Sequence, residues 1–171
     1  RKRGDDSLLR FIRKEIERHG IHVVGVHEYM PELLCPVGVL GKISPTVEDM
    51  DLIKRGFHIA KQHGADDEGQ SVVMNSAGSY AVETVEGTNA LIDSYAGQVG
   101  SILVKVSKPQ QDMALDMPTI GLTTIKHALQ AGFKGIAVEA GKTIILDRAT
   151  LINICDDEDL FLVGLEGQHD I

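Results

Sequence analysis

The stretch Ile102-Leu103-Val104-Lys105-Val106-Ser107-Lys108-Pro109-Gln110-Gln111-Asp112-Met113-Ala114-Leu115-Asp116-Met117-Pro118-Thr119-Ile120-Gly121 decides how this chain folds. Ile102 to Val106 is a short, nearly unbroken apolar run, as in strands buried on both faces. A charged loop follows. Thr123 to Ala131 then carries a helical pattern that stops at Gly132. Strand, loop and helix in that order make an α/β unit. In open sheets of this class, ligands settle outside the carboxyl ends of strands, where this loop lies.

Downstream, Ile136 to Val138 and Thr143 to Leu146 read as short strands flanking a tight connection, Glu139-Ala140-Gly141-Lys142. Arg148 to Cys155 reads as a helix and Leu160 to Val163 as the closing strand. Upstream, Thr46 with Asp49 three residues on opens a capped helix running to about His63. Met50, Ile53, Phe57 and Ala60 form its apolar face, and Gly64 ends it. Gln70 to Met74 and Tyr80 to Val85 flank Asn75-Ser76-Ala77-Gly78, which predicts a hairpin. Thr88 to Tyr95 is a short helix.

Cys35-Pro36-Val37-Gly38 through Ser44-Pro45 is rich in turn formers and reads as a linker. Before it, Asp5 or Asp6 caps a helix through Arg18, with Leu8, Leu9, Ile12 and Ile16 at helical spacing. His19-Gly20 stops that helix. Ile21 to Val26 predicts a strand and Glu28 to Leu34 a helical turn. The expected class is α/β, a mixed sheet with flanking helices over residues 45–171. Residues 1–44 are expected to be the remnant of an N-terminal α/β domain and a linker.

Hydrophobic residues make up 43% of the 171, which supports a sizeable core. With no Trp, that core must rest on Val, Ile, Leu and Ala. A formal charge of −8 opposes broad nucleic-acid binding, yet leaves room for a small phosphate pocket with local cations. Arg1-Lys2-Arg3 is expected to be a solvated tail. Cys35 and Cys155 have no metal-type spacing and are expected to be reduced, partly buried thiols, as in a cytoplasmic protein. An α/β redox protein using both is the weaker alternative. No apolar run reaches membrane-spanning length, and no signal-peptide pattern is visible. A start at Arg1 rather than Met is expected of a fragment or a processed product.

Three segments can carry chemistry. The loop after Ile102–Val106 brings Lys105, Lys108, Asp112 and Asp116 close in sequence. Ammonium groups suit phosphate oxygens as point charges. Carboxylates suit a hard cation such as Mg²⁺. The same charges would also serve simply to solvate a loop. The second segment is Glu83-Thr84-Val85-Glu86-Gly87-Thr88-Asn89, where free N–H groups at a helix start offer a phosphate site. A plain capped helix explains it as well. The third is Val138 to Lys142, where Glu139 either reaches a site or sits in a hairpin turn. Asp147-Arg148 reads as a plain helix start. The seven His form no ligand set, and His58 and His63, five apart, lie on different helix faces. No GxSxG, P-loop or GxGxxG occurs.

Val85-Glu86-Gly87-Thr88-Asn89-Ala90, the run Leu103 to Gly121, Gly135-Ile136-Ala137-Val138-Glu139-Ala140-Gly141-Lys142 and Leu160-Phe161-Leu162-Val163-Gly164 occur in a characteristic order. Together they resemble the C-terminal domain of the α-proteobacterial UDP-2,3-diacylglucosamine pyrophosphatases, the type unrelated to the calcineurin-like enzymes. Gly4-Asp5-Asp6-Ser7-Leu8-Leu9 and Val24-Gly25-Val26-His27-Glu28 resemble the end of that family's N-terminal domain. The resemblance spans nearly the whole chain. It departs at Asn89, where the family usually has Asp, so an acceptor oxygen stays and a charge is lost.

The resemblance implies a cytoplasmic hydrolase of lipid A biosynthesis in a Gram-negative bacterium. Its reaction would convert UDP-2,3-diacylglucosamine to UMP and 2,3-diacylglucosamine 1-phosphate (lipid X) with Mg²⁺ or Mn²⁺. The family's essential Asp falls at Asp112 or Asp116, and spacing leaves both open as catalytic and metal-binding residues. Glu86 joins them as a metal candidate. Lys105, Lys108, Thr88, Asn89, Thr119 and Glu139 are the expected substrate contacts. Two acyl chains imply an apolar cleft or a peripheral contact with the inner membrane, and a homodimer is compatible with the family. A non-catalytic lipid- or nucleotide-binding module is the alternative of another class.

Overall fold

The computed structural model describes residues 5–167, with side chains from Leu8 onward. Arg1-Lys2-Arg3 and the expected Asp5 or Asp6 cap lie outside the described residues and side chains. Helix α1 spans Asp5–Arg18 and leaves Leu8, Phe11, Ile12 and Ile16 exposed. The strand expected from Ile21 does not form. Residues 21–25 form no regular element, with Ile21 and Val24 exposed, and no described strand pairs with them. Helix α2, Val26–Tyr29, and a 3-10 turn, Pro31–Leu33, follow.

The turn-rich segment read as a linker supplies a strand. β1, Gly38–Leu40, pairs antiparallel with the last strand and buries Leu40. Helix α3, Val47–Ala65, starts with the expected capping box: Thr46 accepts from the Asp49 amide while the Asp49 carboxylate accepts from the Thr46 amide. It runs past Gly64, which is buried within it. The hairpin of β2, Ser71–Met74, and β3, Tyr80–Val82, forms over the Asn75–Gly78 turn. The Asn75 side chain accepts from the Ala77 and Ser79 amides there. Next come α4, Gly87–Asp93, and β4, Ile102–Lys105. A two-residue strand, β5, Thr119–Ile120, precedes α5, Leu122–Gln130. β6, Gly135–Glu139, β7, Ile144–Ile145, α6, Arg148–Asp157, and β8, Phe161–Leu165, complete the order.

The main sheet has six strands in the order β1-β8-β6-β4-β2-β3. β4, β6 and β8 run parallel at its centre, with antiparallel neighbours on both sides. The α/β class with a mixed sheet is thus what the chain forms. β6 and β7 make no hairpin, because β6 already has β4 and β8 on its two edges. β7 pairs instead with β5, parallel, in a separate two-stranded sheet.

Alternation along the central strands sorts the core into two layers. Val73, Leu103, Ile136, Val138 and Leu162 pack against α4, α5 and α6 through Ile92, Ile125, Leu151 and Cys155. Val72, Ile102, Val104, Ala137 and Val163 pack on the other face against Ile53, Phe57 and Ala60 of α3. Cys35 and Cys155 are free and buried in the first layer. Burial pushes their thiols up to about 12 and about 11, so both stay protonated and unreactive at neutral pH.

Candidate functional site

At one edge of the main sheet the register sets polar residues in a row. Lys105 ends β4, opposite Ser71 at the start of β2 and beside Val138 of β6. Glu139 is the next residue of β6, opposite Leu165 of β8. Glu83 follows β3, and its amide donates to the Ser71 carbonyl. The carboxyl ends of the parallel strands therefore carry Lys105 and Glu139, as expected of a ligand-binding edge.

The same register places these two on opposite faces. Lys105 shares the parity of Leu103, so it points to the α4 layer. There its ammonium donates to the Thr88 hydroxyl at 3.0 Å. Thr88 in turn donates to Glu83 at 2.7 Å and lies 3.2 Å from the Ser71 hydroxyl. The second Glu83 oxygen accepts from the Gln70 amide at 3.0 Å. His63 of α3 contacts the Glu83 carbonyl at 2.8 Å, tying the hairpin to that helix.

Lys105 is 8% exposed. Burial holds its ammonium below the usual lysine range, and the charges of Glu83 and Asp116 oppose that fall. Burial pushes the Glu83 carboxyl up, but the hydrogen bonds from Thr88 and Gln70 and the charge of Lys105 outweigh it, and Glu83 lies below its ordinary value. The result is a buried cation held by a hydroxyl and a carboxylate, with Asp116 close enough to act on its charge.

Glu139 shares the parity of Ala137 and points to the α3 layer. It is fully buried. One oxygen accepts from Lys61 at 2.6 Å and from the Ser107 amide and hydroxyl at 2.9 and 2.7 Å. Lys142 lies 3.0 Å from the other oxygen. Lys61 also reaches the Ser107 carbonyl and hydroxyl. This knot joins α3, the end of β4 and β6.

The loop after β4 is pinned along its length. Lys108 pairs with Asp67, past the end of α3, at 2.6 Å, and Gln110 donates to the Gly64 carbonyl. Asp112 accepts from Arg13 of α1 at 2.8 Å and from the Ala114 amide at 3.1 Å. Asp116 accepts from Gln111 at 2.6 Å, and its backbone folds onto the Asp112 carbonyl. The profile of the LpxI C-terminal domain matches residues 36–163, and that of the LpxI N-terminal domain matches residues 1–33. The chain belongs to the LpxI family. It is 38% identical over 178 aligned positions to the UDP-2,3-diacylglucosamine pyrophosphatase LpxI of Caulobacter vibrioides. That alignment covers 98% of this chain and 64% of the Caulobacter protein's length.

Within this LpxI-type fold, Lys105 and Thr88 come together, while burial lowers the Lys105 pKa and the charges of Glu83 and then Asp116 oppose that fall. Lys108 and Glu139 are engaged on the α3 side instead. Glu86 and Asn89 are exposed at the start of α4, and Thr119 donates to the Met117 carbonyl. Among the described residues, no group of three or more His, Cys, Asp and Glu side chains is arranged to hold a metal ion. Glu86, Asp112 and Asp116 therefore do not form a joint cage.

Sequence reading passed over Glu83 as a site residue, and Ser71, Lys61 and Ser107 altogether. A signal existed for Lys61: it follows Phe57 by four on the apolar stripe of α3, where a lysine needs a buried partner. Ser71 and Glu83 bound the apolar runs of a hairpin, and no local pattern shows that they face Lys105.

Proposed function

We propose that this chain carries the hydrolytic site of a UDP-2,3-diacylglucosamine pyrophosphatase, releasing UMP and 2,3-diacylglucosamine 1-phosphate (lipid X) in lipid A biosynthesis. The observation that carries this reading is Lys105, a buried ammonium at the carboxyl end of a central strand, with Asp116 acting on its charge. A diphosphate set against that ammonium would have its charge offset in a site where water is largely excluded. Thr88 and Glu83 hold the ammonium in place before substrate arrives. Asp116, turned by Gln111, is the carboxylate to orient the attacking water. Mg²⁺ or Mn²⁺, held by Asp116 and the substrate's own phosphate oxygens, would supply further charge neutralisation.

Asp116 is favoured over Asp112 because Asp112 is occupied by Arg13 and the Ala114 amide. Among the described residues no helix is long and apolar enough to cross a membrane. A cytoplasmic protein that meets its diacylated substrate at the membrane face accords with that observation and with the exposed apolar residues of α1.

Turnover in ¹⁸O-enriched water tests the reading, on this chain and on the chain joined to a complete N-terminal domain. Labelled lipid X and unlabelled UMP are expected, with the reaction stopped by EDTA and restored by Mg²⁺. Label in UMP would move the attacked phosphorus to the uridine side, away from Asp116. Binding of UMP without turnover in either form would favour a non-catalytic nucleotide-binding module.

A further inference from the structure

The loop that carries Asp116 begins at Ser107 and ends at Pro118, just before β5. One short stretch of chain, Glu139 to Ile144, holds both of its ends. At the start, Glu139 accepts from the Ser107 amide at 2.9 Å and from the Ser107 hydroxyl at 2.7 Å. At the end, the Ile144 amide donates to the Pro118 carbonyl at 2.8 Å, where β7 pairs with β5. The stretch is itself braced. The Ala140 amide donates to the Leu165 carbonyl, the Gly141 amide donates to the Cys35 carbonyl, and the Thr143 carbonyl accepts from the Cys35 amide, each at 2.8 Å.

Asp116 is held from within the loop. Its exposed side chain accepts from Gln111, and its amide donates to the Asp112 carbonyl. Its place therefore depends on where the ends of the loop are fixed. Pro118 is two residues on, a span of at most about 7 Å. At the other end, three donors converge on one buried Glu139 oxygen: the Ser107 amide, the Ser107 hydroxyl and Lys61. Charge-assisted bonds of this kind are short and directional, so they fix where the first loop residue sits. A carboxylate that merely tied α3 to β6 would need Lys61 and neither bond to Ser107. Lys108 and Asp112 pin the middle of the loop through partly exposed pairs, which water screens.

We propose that Glu139 is a positioning residue: with the Ile144 amide it clamps both ends of the Asp116 loop, and so sets where that carboxylate stands relative to Lys105. Lys105 ends β4 and is held by the sheet and by Thr88. Loosening the clamp would therefore displace one of the two groups and leave the other in place. A shift of about 1 Å between reacting groups is enough to cost roughly 10²-fold in rate. Glu139 thus serves the reaction from the α3 side of the sheet without touching the substrate. The proposal rests on Asp116 being the carboxylate of the hydrolytic site.

Hydrogen exchange of the full chain and turnover of the intact enzyme test it. Ser107→Ala removes one bond to Glu139 and leaves the Lys61 pair, so the fold is expected to stay. The amides of Leu115 and Asp116, both bonded to the Asp112 carbonyl, should exchange roughly tenfold faster, while those of β4 and β6 keep their protection. Turnover should show kcat lowered roughly tenfold with KM nearly unchanged, because Lys105 still meets the diphosphate. Glu139→Gln should act in the same direction and more strongly. In an Asp116→Ala background, Ser107→Ala should lower the residual turnover no further, since the group it positions is gone. Full additivity of the two losses, or unchanged exchange at Leu115 and Asp116, would overturn the clamp. Faster exchange at Asp116 in a protein with no turnover in any form would sink the hydrolase reading and leave the clamp on the loop standing.

Discussion

Lys105 at the end of β4 donates a 3.0 Å hydrogen bond to Thr88 in the first turn of α4, and the Thr88 hydroxyl donates in turn to Glu83. A strand end, a helix start and the end of a hairpin thereby position one buried ammonium. Each member already has its partner, so little reorganisation is needed when a negative ligand arrives.

That relationship sets a pH dependence. Burial holds Lys105 below the ordinary lysine value of about 10.4, so its charge is lost at lower pH than a free lysine's. The alkaline limb of kcat/KM in the intact enzyme should lie below the range of an ordinary lysine. Glu83→Gln removes a charge that supports the ammonium and should move the limb lower still. Lys105→Met should cost roughly 10²- to 10³-fold in turnover. A limb that stays put in Glu83→Gln would separate Lys105 from the chemistry.

Asp116 and Asp112 should part company on mutation. Asp116→Ala is expected to remove hydrolysis by at least about 10²-fold with the fold intact. Asp112→Ala breaks a partly exposed, solvent-screened ion pair with Arg13 and should change global stability little. Its effect should appear as faster hydrogen exchange in α1, and Arg13→Ala should reproduce it. Equal loss of turnover in both aspartate variants would reverse the preference for Asp116.

The Glu139 knot predicts the acid side of the stability profile. Burial pushes this carboxyl up, but the bonds from Lys61 and Ser107 outweigh it and leave it below its ordinary value. A carboxylate depressed on folding stabilises the protein above the unfolded value, about 4.3, and that contribution disappears as pH falls through the lower folded value. Glu83 and Asp49 act in the same direction. Urea midpoints should hold down to about pH 5 and then drop. Glu139→Gln leaves Lys61 without its charge partner and should cost on the order of 3 kcal/mol at neutral pH, with a shallower acid drop.

Gly56 of α3 packs directly against the sheet. A Cβ there would lie 2.9 Å from both Met74 Cγ and Val104 Cγ2. Met74 can move, but Val104 is branched and buried in a central strand. Gly56→Ala should therefore destabilise by about 1–2 kcal/mol despite the helix preference for Ala. Thermal unfolding measures it, and a rise in Tm would show that the layer yields instead.

What sequence alone determined was local. Thr46 and Asp49 announce α3 because a capping box closes within four residues. Asn75 to Gly78 announce the hairpin because a turn and its flanking alternation are read together. The apolar run at Ile102 announces a buried strand, and with it the α/β class and the loop that follows. Tertiary structure decided everything that needs a distant partner. Ile21 to Gly25 has strand-like residues but no described neighbour to pair with, while Gly38 to Leu40, rich in turn formers, lies beside β8 and completes the sheet. β7 turns from β6 to β5 because both edges of β6 are taken. Lys105 and Glu139 lie on adjacent strand ends yet face opposite layers, since side-chain direction follows residue parity within a register that only the assembled sheet sets. That register gives Lys105 to Thr88 and Glu83, and Glu139 to Lys61.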